Sequence, residues 1–119
     1  MDAEDIFAGL TSSSTTVDYG PLTLTLRAEG NATVMAASGE FHGARVAEFV
    51  ACAEAALRTA PDLILDLRAV SFIDLAALAS IESLERTTSG LGGSLRIRAP
   101  SSQVRRLFGL ARVELPMTE

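Results

Sequence analysis

Few side chains in this sequence are of the types that do chemistry, and they are thinly spread: one histidine, His42, one cysteine, Cys52, and the aspartates Asp66 and Asp74 flanking a short segment. Two neighbouring carboxylates can divide acid and base roles. Here, however, Asp66 falls inside an apolar run of strand length and Asp74 stands where a helix begins, so each reads as structural. One His and one Cys cannot supply a zinc-ligand set. No serine stands in a nucleophile elbow or in a catalytic spacing with His42. Gly90-Leu91-Gly92-Gly93 precedes a strand, not a helix, so its amides form a turn and not a phosphate cradle. Cys52 sits in an alanine-rich helical pattern and reads as a small buried hydrophobe, with no second thiol for an internal disulfide. The sequence therefore carries no catalytic set, metal site or cofactor site, and it is expected not to be an enzyme.

Composition narrows the class further. The chain has 119 residues, of which 48% are hydrophobic and 21% charged, the balance of one globular domain. Its net charge of -5 argues against a nucleic-acid partner, because affinity for phosphates comes from clustered Lys and Arg. All ten basic residues are Arg, and Arg105-Arg106 reads as a solvated helix face. No apolar run approaches the roughly 20 residues that span a bilayer, so no direct membrane insertion is expected. The start, Met1-Asp2-Ala3-Glu4-Asp5, lacks a basic signal region, which places the protein in the cytoplasm as an expectation.

The elements that must position these residues centre on Leu63 to Leu84. Leu63-Ile64-Leu65-Asp66-Leu67 has the length and content of a central strand, and helical spacing follows at Leu75, Leu78, Ile81 and Leu84. Between them Ser71-Phe72-Ile73-Asp74 reads as a turn, with Asp74 capping the free amides of the helix. Upstream, residues 1–20 contain the run Thr11 to Thr16 and read as a flexible N-terminal extension; residues 21–119 form the domain. Leu22, Leu24, Leu26 and Ala28 alternate with polar residues in a strand, Glu29-Gly30-Asn31 turns the chain, and Ala32 to Ser38 returns as its antiparallel partner. A helix after Gly43 buries Val46, Phe49, Val50, Ala53 and Leu57 and stops at Pro61.

Downstream, Ser89 to Gly93 offers a left-handed helix end and Ser94 to Arg98 alternates as a strand. A third helix follows Pro100-Ser101-Ser102, with Gly109 positioned to end it early, and Val113-Glu114-Leu115 reads as a last short strand. The order predicts an α/β fold: a mixed β-sheet with a leading β-hairpin, then alternating α and β, and helices packed mainly on one face.

These residues carry a family resemblance. Ser38-Gly39-Glu40-Phe41 before a helix, the segment 63–81, and the segment 92–113 resemble in order and spacing the STAS domain of bacterial anti-sigma factor antagonists, over about residues 20–115. The resemblance implies a STAS-like fold and a partner-binding surface formed by Phe41, His42, Asp74, Leu75, Ala76, Ala77 and Leu78. It implies as partner an anti-sigma factor of the histidine-kinase-like ATPase type, whose capture releases a sigma factor. In that family the residue after the turn aspartate is usually a Ser or Thr that the partner kinase phosphorylates. Here that residue is Leu75, which has no hydroxyl, so no phosphorylation is expected at the family position. Ser71 and Ser80 do not inherit the role by position.

Two further departures matter. Ala77 stands where a glycine is common, and His42 stands where the family often has an acidic residue. The apolar helix start favours burial against a protein, giving an antagonist that acts constitutively or is controlled by abundance or by another partner. Two alternatives stay open: a scaffold or accessory subunit of a stress-sensing or lipid-transport ATPase complex, and, with least support, a small-molecule sensor. Assembly as a homodimer is also left open.

Overall fold

The computed structural model describes residues 14–118. Its elements are β1 (Thr15–Tyr19), β2 (Leu22–Glu29), β3 (Ala32–Phe41), a 3-10 turn (Gly43–Arg45), α1 (Val46–Thr59), β4 (Asp62–Ile73), α2 (Leu75–Gly90), β5 (Ser94–Arg98), α3 (Ser102–Ala111) and β6 (Met117–Thr118). The six strands form one sheet in chain order. The β1/β2 and β2/β3 pairs are antiparallel and the rest parallel, as hairpins and helical crossovers require. This is the mixed sheet with a leading hairpin that the sequence predicts.

Alternation decides which face is the core. Leu22, Leu24 and Leu26 of β2, Met35 and Ala37 of β3, Leu63, Leu65 and Leu67 of β4, and Leu95 and Ile97 of β5 are all buried in one cluster. Phe49, Cys52 and Ala56 of α1, Leu78, Ile81 and Leu84 of α2, and Val104 and Phe108 of α3 complete it. Helix α3 starts beside the middle of β4, where the Ser101 amide donates to the Leu67 carbonyl, and so covers the flank of β4 beyond the end of β5.

The opposite face is closed by charge. Arg98 of β5 reaches across β4 and β3 to Glu29 of β2, with guanidinium-to-carboxylate distances of 2.7 and 3.2 Å, and Arg27 meets the same carboxylate at 3.0 Å. The register puts Val34 under this lattice, which explains why it is buried on the side without helices. The hydrogen bonds from Arg98 and then Arg27 pull the Glu29 carboxyl down to about 2. Because its folded value lies below the ordinary 4.5, its contribution is complete above that pH and is lost as pH falls through about 2. Urea midpoints followed from pH 5 to pH 2 should fall less steeply for Glu29→Gln than for the parent chain.

Four sequence expectations need correction. The segment 15–19, assigned to the extension, is an edge strand that closes on β2 through the two-residue loop Gly20-Pro21, with Gly20 at φ +76°. The remainder of that extension, residues 1–13, lies outside the described residues. Ser71-Phe72-Ile73 is not a turn but the end of β4, which is twelve residues long against ten for β3. Two single-residue register shifts absorb the difference. The first lies beside Asp66, whose Oδ1 accepts from the Arg68 amide at 3.1 Å and holds the bulge.

The third correction concerns the last strand, which is Met117–Thr118 and not Val113 to Leu115. Gly109 does not end α3, which continues to Ala111. Arg112 then turns left-handed at φ 56°, and the Val113 amide donates to the Phe108 carbonyl at 2.9 Å, so Val113 belongs to the helix cap.

Candidate functional site

At the end where β3 and β4 finish, the chain reverses into both α1 and α2. Asp74 joins the two reversals. Its Oδ1 accepts from the Ala77 amide at 2.9 Å, which caps α2, and its Oδ2 accepts from the Gly43 amide at 2.8 Å, which fastens the 3-10 turn that leads into α1. The Asp74 amide in turn donates to the Phe41 carbonyl at 3.3 Å. Desolvation opposes ionisation here, but the Ala77 and Gly43 amides, the His42 ring and the Ala76 amide outweigh it and hold Asp74 below the ordinary aspartate range. Gly43 must be a glycine, since a Cβ there would lie 2.8 Å from that of Ala76.

The capping role read from the sequence is thus present, and it is doubled. Asp74→Ala removes both bonds and should lower stability by about 2–3 kcal/mol in chemical denaturation. Asp74→Ser keeps an acceptor for the cap but is too short to hold Gly43, so it should lose roughly half as much.

Around this hub the seven residues assigned to the site divide. His42, Asp74, Leu75 and Ala76 reach the surface, with Leu75 64% exposed. Phe41, Ala77 and Leu78 do not: each is at most 1% exposed and belongs to the core cluster. Phe41 is the last residue of β3 and packs its ring 4.6 Å from that of Phe49, so it supports the surface from beneath. Those three are corrected from contact residues to scaffold.

One surface residue was missed. Phe72, 44% exposed, is the last residue but one of β4, and its ring centre lies 4.8 Å from the His42 imidazole, which itself meets Glu40 Oε1 at 2.8 Å. Reading residues 71–74 as a turn hid the outward position of Phe72. The exposed set is therefore Phe72, Leu75 and Ala76, edged by the Glu40–His42 pair. Such a surface can bury itself against a protein, and among the described residues no three of His, Cys, Asp and Glu converge to hold a metal ion.

With this geometry in place, comparison with known proteins gives the family. Residues 24–118 match the family model described as "Mlab, STAS domain", and the chain belongs to the STAS domain family. Among solved structures, an anti-sigma factor antagonist from Mycobacterium paratuberculosis superposes with a TM-score of 0.70 at 20% identity, covering 88% of this chain and 85% of that one. The anti-sigma factor antagonist SpoIIAA in its unphosphorylated form gives 0.68 at 18% identity, covering 80% and 85%. The murine anion transporter Slc26a9 gives 0.58 at 18% identity, covering 89% of this chain and 19% of the transporter. At these identities the likeness is one of fold. A search of curated protein sequences finds no match.

Proposed function

We infer that the chain is a non-enzymatic protein-binding module that docks through the head of α2 on an anti-sigma factor of the histidine-kinase-like ATPase type and so frees a sigma factor in the cytoplasm. The observation that carries this reading is the exposure of Phe72, Leu75 and Ala76 on either side of a doubly bonded Asp74 in the chain. Docking buries side chains that water now surrounds, and the cap has already ordered the backbone, so little ordering remains to oppose binding. Without a hydroxyl at Leu75 there is no phosphoryl switch at that point. Ser80 is buried with its hydroxyl on the Ala77 carbonyl at 2.6 Å, which leaves Ser71 as the exposed alcohol nearest the site.

A second reading is left open by the fold's occurrence within an anion transporter chain. In it the same surface docks on the ATPase of a lipid-transport or stress-sensing assembly. Affinity capture from the native cell with the tagged chain separates the two: an ATP-binding anti-sigma factor supports the first, a transporter ATPase the second. Incubation with the captured ATPase and ATP should leave the chain unmodified. Stoichiometric phosphate on Ser71 would overturn the switch-free reading.

A further inference from the structure

We propose that the chain pairs with a second copy of itself through β1, strand against strand, about a two-fold axis at Val17. Among the described residues β2 is the sole strand neighbour of β1, and none of them pairs with its far edge. Tyr19 and Leu22 close a two-residue loop and form a hydrogen-bonded pair, so Tyr19, Val17 and Thr15 direct their amides toward β2. Thr16 and Asp18 direct theirs outward. Edges of this kind are usually guarded by Pro, charged side chains or a bulge. Thr15–Tyr19 has no Pro and no bulge, its register against β2 is unbroken, and Asp18 is its one charge.

The edge is also fixed in place before any partner arrives. Tyr19 Oη lies 3.4 Å from Cys52 Sγ of α1, Val17 and Tyr19 pack on the core, and Asp18 Oδ1 accepts from the Gly20 amide at 2.9 Å. The other edge of the sheet cannot serve in the same way. There β6 is two residues long and follows Pro116.

The strand is complementary to itself. An antiparallel axis at Val17, its middle residue, pairs all five residues. It sets Val17 on its own counterpart on the helix side, Thr15 on the second copy's Tyr19, and Thr16 on the second copy's Asp18. The strand's single charge then faces a hydroxyl, whereas an axis at Asp18 would press two carboxylates together. Two strands of this length bury little surface, so the dimer belongs to the weak, concentration-dependent class, and salt should tighten it by screening the -5 charge on each copy. It uses the flank of the sheet away from Leu75 and stands or falls independently of the docking surface.

Sedimentation of the full chain from about 5 to 500 µM tests this. The expected mass rises from 12.5 kDa toward twice that value. Val17→Cys should cross-link to a covalent dimer under mild oxidation, because residues facing each other in a non-bonded antiparallel pair lie about 4.5 Å apart at Cα, within disulfide range. Thr15→Cys should not, and Cys52, fully buried, stays out of the reaction. Thr16→Asp creates two like-charge pairs and should weaken the dimer about tenfold or more, whereas Thr16→Lys should hold or tighten it, with circular dichroism unchanged in both. A mass that stays at 12.5 kDa throughout overturns the proposal. So does a dimer that Val17→Cys fails to link and Thr16→Asp fails to loosen.

Discussion

Gly39→Ala should cost about 3 kcal/mol or more in folding stability and lower the melting temperature by more than about 10 °C. Gly39 sits at the second register shift between β3 and β4 with φ +90°, a conformation that a side chain disfavours by itself. Space makes the cost larger: an added Cβ would lie 2.1 Å from the Pro21 carbonyl oxygen. That oxygen cannot withdraw cheaply, because it accepts from the Glu40 amide at 2.8 Å. Relief therefore means separating the start of β2 from the end of β3, on which Phe41 and the 3-10 turn depend. Gly109→Ala is the control. It lies within α3 with nothing within 4 Å of its added methyl, and should stabilise by roughly 0.5–1 kcal/mol. Chemical denaturation of the two variants side by side should show shifts of opposite sign.

Leu75→Arg should weaken capture of the proposed ATPase partner by about 100-fold while leaving folding stability within roughly 0.5 kcal/mol of the parent. The side chain is the first residue of α2 and 64% exposed, so the isolated chain loses almost no packing. In the complex the same change drives a charge into a contact that must be dry. Leu78→Ala gives the converse, since it opens a cavity in the core and should cost about 2–5 kcal/mol. Calorimetric titration paired with denaturation tests this division. A Leu75→Arg variant that binds as the parent does would remove the docking surface from the head of α2.

Much of the frame was legible because local chemistry and global fold agree. Gly30-Asn31 turns the β2/β3 hairpin, with Gly30 at φ +60°, Asp74 caps α2, and Gly92 at φ +84° ends it. Each rests on a residue type with few alternative uses. The β4 strand was half legible. Its inward residues run Leu63, Leu65, Leu67 and then Val70 and Ile73, so the period of two becomes three at each bulge. A reading based on strict alternation stops at Leu67.

Strand β1 was missed for a different reason. Thr15 and Thr16 end a Ser/Thr tract that looks solvent-loving, although β-branched residues followed by Val17 and Tyr19 suit an edge strand and Gly20-Pro21 suits a two-residue hairpin. The burial of α2 follows from rotation. Stepping by three residues turns a helix back by about 60° each time, so the row Leu75, Leu78, Ile81, Leu84 winds around the cylinder instead of staying on one side. The buried side of α2 is Ala77, Leu78, Ser80, Ile81, Leu84 and Thr88, which leaves Leu75 nearly opposite its centre. Spacing alone groups Leu75 with the core; the axis of the helix separates it.

Because the sheet is laid down in chain order, every strand is the spatial neighbour of the one before it. No pairing has to close a loop longer than a single helix with its connections, and the entropy of loop closure stays small at each step. The domain can therefore zip from one edge to the other without waiting for a distant segment, with relaxation on the order of milliseconds, faster than sheets whose neighbours are far apart in sequence.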